Sequence, residues 1–117
     1  MESKKIKIQE KLEIISKLAE EKKAENFTLL NVEGISTLTD RILICSGDGA
    51  IHNRAIAKYI MIESKKIGIK LHHKEGLQNG TWILLDFGNT IMHIFDKDTR
   101  NYYKLEELWQ EIIQKNK

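Results

Sequence analysis

The spacing of apolar residues near the N-terminus predicts a helix. Apolar side chains recur at positions i, i+4, i+7 and i+11, which is the pattern of one buried helical face. The residues of this face are Ile8, Leu12, Ile15 and Ala19. Charged residues fill the positions between them, as expected of a face turned to solvent. We therefore predict a helix from Ser3 to about Ala24, with Ser3 as its N-terminal cap.

The middle of the chain predicts two strands and a second helix. Phe27 to Val32 has the composition of a short strand, and the continuous apolar run from Arg41 to Ser46 is typical of a strand buried on both faces. Gly47-Asp48-Gly49 then turns the chain into a helix from about Ala50 to Ile67, which Gly68 ends as a left-handed cap. This helix carries two adjoining apolar stripes, one formed by Ile51, Ala55, Tyr59 and Ile62, the other by Ile56, Ile60 and Ile67.

The last part of the chain predicts three strands and a terminal helix. Ile69 to Lys74 alternates loosely, whereas Thr81 to Phe87 and Thr90 to Phe95 are strongly β and are joined by Gly88-Asn89, a two-residue hairpin turn. The terminal helix carries the apolar residues Leu105, Leu108, Trp109 and Ile112. The order αββαβββα predicts an α/β (α+β) fold: a single two-layer domain over residues 1–117, with a mixed sheet and helices on one face.

The predicted hairpin has one apolar face and one mixed face. Leu85 should lie opposite Met92, and Ile83 opposite Ile94, which places this face on the helical core. The opposite face carries Trp82, Leu84 and Asp86 on one strand and Phe95, His93 and Ile91 on the other. An uncovered surface of that composition is typical of a protein-binding site. The alternative is that the terminal helix folds across it.

Composition narrows the class of protein further. The chain has 117 residues, 41% hydrophobic and 31% charged, with one Cys and a formal net charge of +2. These values fit one folded domain, and no apolar run approaches the ~20 residues of a membrane span. One cysteine excludes a disulfide framework and a cysteine-based zinc site. Because a charged segment follows Met1, we expect no secretory peptide and a cytoplasmic location.

The polar residues of the mixed face favour an interface over a catalytic site. Asp86 and His93 are diagonal neighbours, close enough for a hydrogen bond. A catalytic dyad needs a nucleophile beside it, and Cys45 lies in a strand predicted to be buried. His72 and His73 point to opposite faces of a strand, so they cannot hold one metal ion together. We therefore expect no catalytic residue, no metal and no cofactor.

A glycine-containing turn and a basic segment carry weaker signals. Gly47-Asp48-Gly49 looks like half of a phosphate-binding loop, but neither full phosphate-loop pattern is present. We expect Gly49 to permit the turn and Asp48 to cap helix amides. From Arg54 to Lys74 six basic residues stand against one acidic residue, Glu63. A solvated helix face explains this charge, and the alternative is a peripheral contact with RNA phosphates.

Several motifs in the second half of the chain together resemble the Iojap-like family. They are Glu75-Gly76, Gly80-x-Trp82-Ile83-Leu84-Leu85-Asp86-Phe87-Gly88, Met92-His93-Ile94-Phe95 and Arg100-x-Tyr102-Tyr103-x-Leu105-Glu106-x-Leu108-Trp109. Shorter matches upstream extend the similarity to the range from about Leu12 to Trp109. The chain departs from the family pattern at the start of the second helix, where Gly49, Ile51 and His52 stand in place of the usual Ser, Arg and Gln.

The resemblance implies a fold like that of nucleotidyltransferase domains without their catalytic carboxylates. It implies a protein that is not an enzyme, binds the fourteenth protein of the large ribosomal subunit, and blocks subunit joining when nutrients are short. If the alternative reading of the basic segment from Arg54 to Lys74 holds, the RNA that it contacts would be ribosomal RNA. The resemblance also implies a homodimer away from the ribosome. By the family pattern the partner-binding residues are Trp82, Leu84 and Asp86, with His93, Tyr102 and Tyr103 as neighbours. The alternative is a nucleotide-binding enzyme of the same fold, with its ligand near Ser46-Gly47-Asp48-Gly49.

Overall fold

A computed structural model describes residues 6–117, which form four helices and one five-stranded sheet. The elements in chain order are α1 (Ile8–Glu21), β1 (Glu25–Asn31), β2 (Arg41–Gly47), α2 (Ala50–Lys66), β3 (His73–Glu75), β4 (Trp82–Asp86), β5 (Thr90–Asp96), α3 (Lys97–Tyr103) and α4 (Leu105–Lys115). The strand order is β1-β2-β5-β4-β3, with β2 and β5 parallel and the other neighbours antiparallel. The predicted α+β class and mixed sheet are confirmed. The predicted cap, Ser3, lies outside the described residues.

The first core lies between one face of the sheet and the helices α1 and α2. Register pairs Ile83 with Ile94 and Leu85 with Met92, so the apolar face of the hairpin is buried here as predicted. The turn between these strands is also confirmed: the Phe87 amide donates to the Thr90 carbonyl at 2.8 Å. Gly88 has φ +89°, a backbone conformation that favours glycine.

Helix α2 does not bury both of the stripes that its sequence predicts. Its fully buried residues are Asn53, Ile56, Ala57, Ile60 and Ser64. Ile51 is 81% exposed and Ile62 is 58% exposed, so the first stripe is not the buried face of the helix. The small side chains of Ala57 and Ser64 let the helix approach its neighbours closely on one side. That orientation turns Ile51 and Ile62 towards solvent.

The second core lies on the opposite face of the sheet and corrects the prediction that all helices share one face. It comprises Leu30, Val32, Ile42, Ile44 and Phe95, packed against Leu105, Trp109 and Ile113 of α4. The terminal helix thus covers the β1–β2 side of this face and reaches only Phe95 of the hairpin, so the alternative expectation that it folds across the mixed face of the hairpin is met only in part. The β4 side, which carries Trp82 and Leu84, remains only half-buried.

Two further elements differ from their predicted bounds. The strand expected from Ile69 to Lys74 is reduced to β3, because Ile69 instead enters the first core directly after α2. The expected terminal helix is two helices, broken at Lys104, whose φ of 50° lies in the left-handed region. Asp96 caps α3 by accepting a hydrogen bond from the Thr99 amide at 2.7 Å.

Candidate partner-binding surface

An aromatic cluster lies on the part of the second sheet face that α4 leaves open. The Trp82 ring stacks on the Phe95 ring with centroids 4.7 Å apart. The Tyr103 ring also contacts Trp82, with centroids 4.9 Å apart. Tyr102 packs edge-on against Tyr103 at 5.0 Å. We call Trp82, His93, Phe95, Tyr102 and Tyr103 the aromatic surface. Phe95 is fully buried and forms its floor, whereas Tyr102 is 80% exposed and Tyr103 54% exposed.

The chain order explains how these rings meet. Trp82 begins β4 and pairs in register with Phe95 at the end of β5. Helix α3 follows β5 without a loop. Its last two residues, Tyr102 and Tyr103, therefore lie close to the strand ends that hold Trp82 and Phe95. Three neighbouring elements thus supply one surface, and the sheet beneath it is rigid compared with a loop.

His93 holds the Trp82 ring in place through a hydrogen bond. The Trp82 Nε1–H donates to His93 Nδ1 at 2.9 Å, so the proton of the neutral imidazole resides on Nε2. The side chain is buried, and burial lowers the pKa of His93 to about 4. The imidazole is therefore neutral at physiological pH and acts as an acceptor for the indole.

The hydrogen bond that the positions of Asp86 and His93 would allow does not form. The two residues are diagonal neighbours as predicted, but Asp86 Oδ1 accepts from the Gly88 amide at 2.8 Å and shapes the hairpin turn. The Nδ1 atom that could have faced Asp86 is taken by Trp82. Leu84, opposite His93 in register, is half-buried and extends the aromatic surface along β4 towards Asp86. All six predicted partner-binding residues thus lie on one side of the sheet.

Arg100 is a residue whose role the sequence did not reveal. Its guanidinium donates to both carboxylate oxygens of Glu106 at 2.6 and 3.0 Å, and this pairing lowers the pKa of Glu106. It also donates to Ser46 Oγ at 2.8 Å and to the Asn26 carbonyl at 2.6 Å. These contacts fasten α3 to α4, β1 and β2, and so set the position of the helix that carries both tyrosines. Nothing in the linear spacing indicates these partners.

The turn that begins α2 is built differently from the prediction. Asp48 does not cap the helix: Gly49 is the N-cap residue and no side chain caps it. Instead the Asp48 amide donates to His52 Nδ1 at 2.8 Å, and His52 Nε2 lies 2.7 Å from the Lys22 carbonyl at the end of α1. A Cβ at Gly47 would stand 2.2 Å from Asn53 Oδ1, so this position requires glycine for close packing.

The remaining candidate residues form no compact site. Within residues 6–117 no group of three or more His, Cys, Asp or Glu side chains is arranged to hold a metal ion. In the same range, no helix has the length and apolar character needed to cross a bilayer. In the basic segment, Arg54 donates to the carbonyls of Gln78 and Asn79. Four lysines of the segment are exposed with no ion pair among the described residues: Lys58, Lys65, Lys70 and Lys74.

The fold defines the structural class: a small α+β domain with a mixed five-stranded sheet and helices on both of its faces. The sequence profile of the family "Ribosomal silencing factor during starvation" matches residues 5–117. Ribosomal silencing factor RsfS of Bacillus subtilis is 39% identical over 98 residues, 84% of this chain and 83% of that protein. The chain belongs to the ribosomal silencing factor family.

Solved structures share this fold. A crystal structure of a Chromobacterium violaceum protein matches with a TM-score of 0.86 at 27% identity, over 90% of this chain and 88% of that one. A crystal structure of a Bacillus halodurans protein matches with a TM-score of 0.78 at 39% identity, over 86% of this chain and 94% of that one. The order of the sheet and its helices is therefore shared with proteins whose folds are known.

Proposed function

We propose that this chain binds the large ribosomal subunit through its fourteenth protein and thereby blocks association with the small subunit. In this proposal it acts in the cytoplasm, under nutrient limitation, and represses translation by occupying space. Membership of the ribosomal silencing factor family supports the role. The observation that supports the docking site is the cluster formed by the half-buried Trp82 and the exposed Tyr102 and Tyr103 on a rigid sheet.

The composition of the aromatic surface suits a protein partner. Trp and Tyr are enriched among the residues that dominate binding energy, because they bury a large area at a small loss of conformational entropy. Trp82 is held by two contacts, stacking on Phe95 and a hydrogen bond to His93. Its side chain therefore has little conformational entropy left to lose on binding. Leu84 adds apolar area beside it, and Asp86 supplies a polar edge.

Steric occlusion needs no catalytic turnover, so affinity and occupancy would set the effect. Ligands of open α/β sheets bind outside the carboxyl ends of the parallel strands. Here the Ser46 hydroxyl at that end of β2 accepts from Arg100, and Arg100 is paired with Glu106. The alternative is a nucleotide-binding enzyme with its ligand near this edge of the sheet. Stabilisation of the chain by ATP or GTP in a thermal melt would favour that alternative.

The proposal also includes two secondary interactions. Lys70 and Lys74 are exposed beyond the end of α2 and would touch ribosomal RNA phosphates at the edge of the protein contact. Away from the ribosome the chain would form a homodimer, as the family resemblance implies.

The experiment that tests the proposal measures subunit joining with purified ribosomal subunits. The wild-type chain is expected to reduce the fraction of joined ribosomes in a sucrose gradient. Tyr103→Ala is expected to lose most of this effect, whereas Ile62→Ala is the matched control, because the two side chains are 54% and 58% exposed and Ile62 lies on α2, which packs on the opposite face of the sheet. A Tyr103→Ala protein that blocks joining as well as wild type would overturn the assignment of the surface.

A further inference from the structure

Helix α2 exposes an apolar ridge that its own fold does not use. Ile51, Ala55 and Ile62 stand at positions i, i+4 and i+11, which places them on one face of the helix. This face points away from the first core, and Ile51 is 81% exposed and Ile62 58% exposed. Isolated exposed aliphatic residues are ordinary, but a row of them along one helix is typical of a contact surface. We call these three residues the α2 ridge.

A shallow depression of about 520 Å³ adjoins the ridge at the start of α2. It is lined by Asp48, Gly49, Ala50, Ile51, His52 and Ala55. Gly49 and Ala50 have small or no side chains, so the depression is open enough to receive one apolar side chain from outside. The ridge and the depression together give a convex and a concave element on the same helix, which a partner helix can match.

The charges around the ridge decide what kind of partner fits. Lys58 stands within the row at i+7, and Lys65 and Lys66 stand at its C-terminal end; all three are exposed, and Lys66 pairs with Glu63. A second copy docked through the same face would bring like charges together. Bare RNA would satisfy the lysines and leave the isoleucines in water.

We propose that the α2 ridge docks an acidic amphipathic helix of a partner protein. The partner's apolar residues would cover Ile51 and Ile62, and its carboxylates would face Lys58 and Lys65. Helix α2 packs on the face of the sheet opposite the aromatic surface. The chain can therefore hold this second partner while the aromatic surface is occupied.

The test uses a designed helical peptide with the ¹⁵N-labelled full chain. The peptide carries leucines at i, i+4, i+7 and i+11 with glutamates on both flanks, and its counterpart carries lysines in place of the glutamates. We expect the acidic peptide to shift the amide resonances of Ile51, Ala55 and Ile62 while those of Trp82 stay unmoved. Ile51→Glu should weaken its binding about tenfold or more, since one central apolar residue carries much of such a contact. Leu38→Glu is the matched control, because Leu38 is 79% exposed elsewhere on the surface.

Other outcomes would overturn the proposal. If the acidic and lysine peptides bind equally well, the charges around the ridge do not select the partner. If the Ile51→Glu and Leu38→Glu proteins bind the acidic peptide with equal affinity, the α2 ridge is not the binding site. A further outcome is that the peptide fails to bind while a single-stranded RNA oligomer or anionic phospholipid vesicles do bind. If Ile51→Glu weakens that binding, the ridge belongs to a different class of partner. A shift of the free chain from dimer to monomer on Ile51→Glu, seen by analytical ultracentrifugation, would assign it to self-association.

Discussion

Acid should destabilise this protein through one buried histidine. Burial lowers the pKa of His93 from its ordinary 6.5 to about 4. The folded state therefore binds fewer protons than the unfolded state between these two values, and the free energy of unfolding falls as the pH falls through that window. At about 1.4 kcal/mol for each unit of pKa, the gap costs roughly 3 kcal/mol once the pH is below both values.

The proton would enter at the atom that positions Trp82. His93 Nδ1 accepts the indole hydrogen bond, so protonation there breaks the contact at 2.9 Å. We expect the indole fluorescence of the folded protein to change over the same acidic range, before the chain unfolds. Loss of the fixed Trp82 orientation should also weaken partner binding as the pH approaches 4.

The assay is urea unfolding at a series of pH values between 7 and 4, for wild type and for His93→Gln. Protonation of other groups, Glu106 among them, lowers the free energy of unfolding of both proteins in acid. The difference between the two plots of unfolding free energy against pH therefore isolates the contribution of His93. Wild type should lose about 3 kcal/mol more than the variant across this range. Parallel curves for the two proteins would refute the reasoning, because His93 would then not be the group that resists protonation.

Three further predictions concern the interior. Arg100→Ala should lower the free energy of unfolding by about 2–3 kcal/mol, because it leaves Glu106 and Ser46 without their hydrogen-bond partner. Denaturant unfolding measures this loss. A loss below about 0.5 kcal/mol would contradict the proposal that Arg100 holds α3 in position. Gly47→Ala should cost about 1–3 kcal/mol, because its Cβ would meet Asn53; a neutral result in the same assay would mean that the helix shifts freely. Cys45 should not react with a thiol reagent in the folded protein, because it is fully buried and burial raises its pKa to about 12; labelling at the rate of the unfolded chain would count against this.

The sequence predicted those elements in which burial of one face produces a periodic pattern of apolar residues. The alternation in Thr81 to Phe87 and Thr90 to Phe95 assigned the faces of the hairpin, because successive strand residues point to opposite sides. The register of Ile83 with Ile94 then followed from the turn at Gly88-Asn89, as the structure confirms. The same alternation brought Trp82 and His93 onto one face of the sheet.

Features that depend on the choice between competing partners were not predictable. Helix α2 has two apolar stripes, and only its packing against α1 and the sheet decides that Ile56 is buried while Ile51 is exposed. His93 lies close enough to Asp86 for a hydrogen bond, but its Nδ1 accepts from the Trp82 indole and Asp86 accepts from the Gly88 amide. The coverage of the second face depends on the break at Lys104, and no propensity marks that residue for a left-handed conformation.

The aromatic surface can be tested most directly by photocrosslinking on intact large ribosomal subunits. A photoreactive phenylalanine analogue placed at Tyr102, which is 80% exposed, reports what lies against the surface in the complex. The same analogue at Leu38, 79% exposed, provides the control position. The account predicts that the crosslink from position 102 reaches the fourteenth protein of the large subunit and that the crosslink from position 38 does not. A crosslink from position 102 to a different ribosomal protein, or none while the chain remains bound to the subunit, would contradict it.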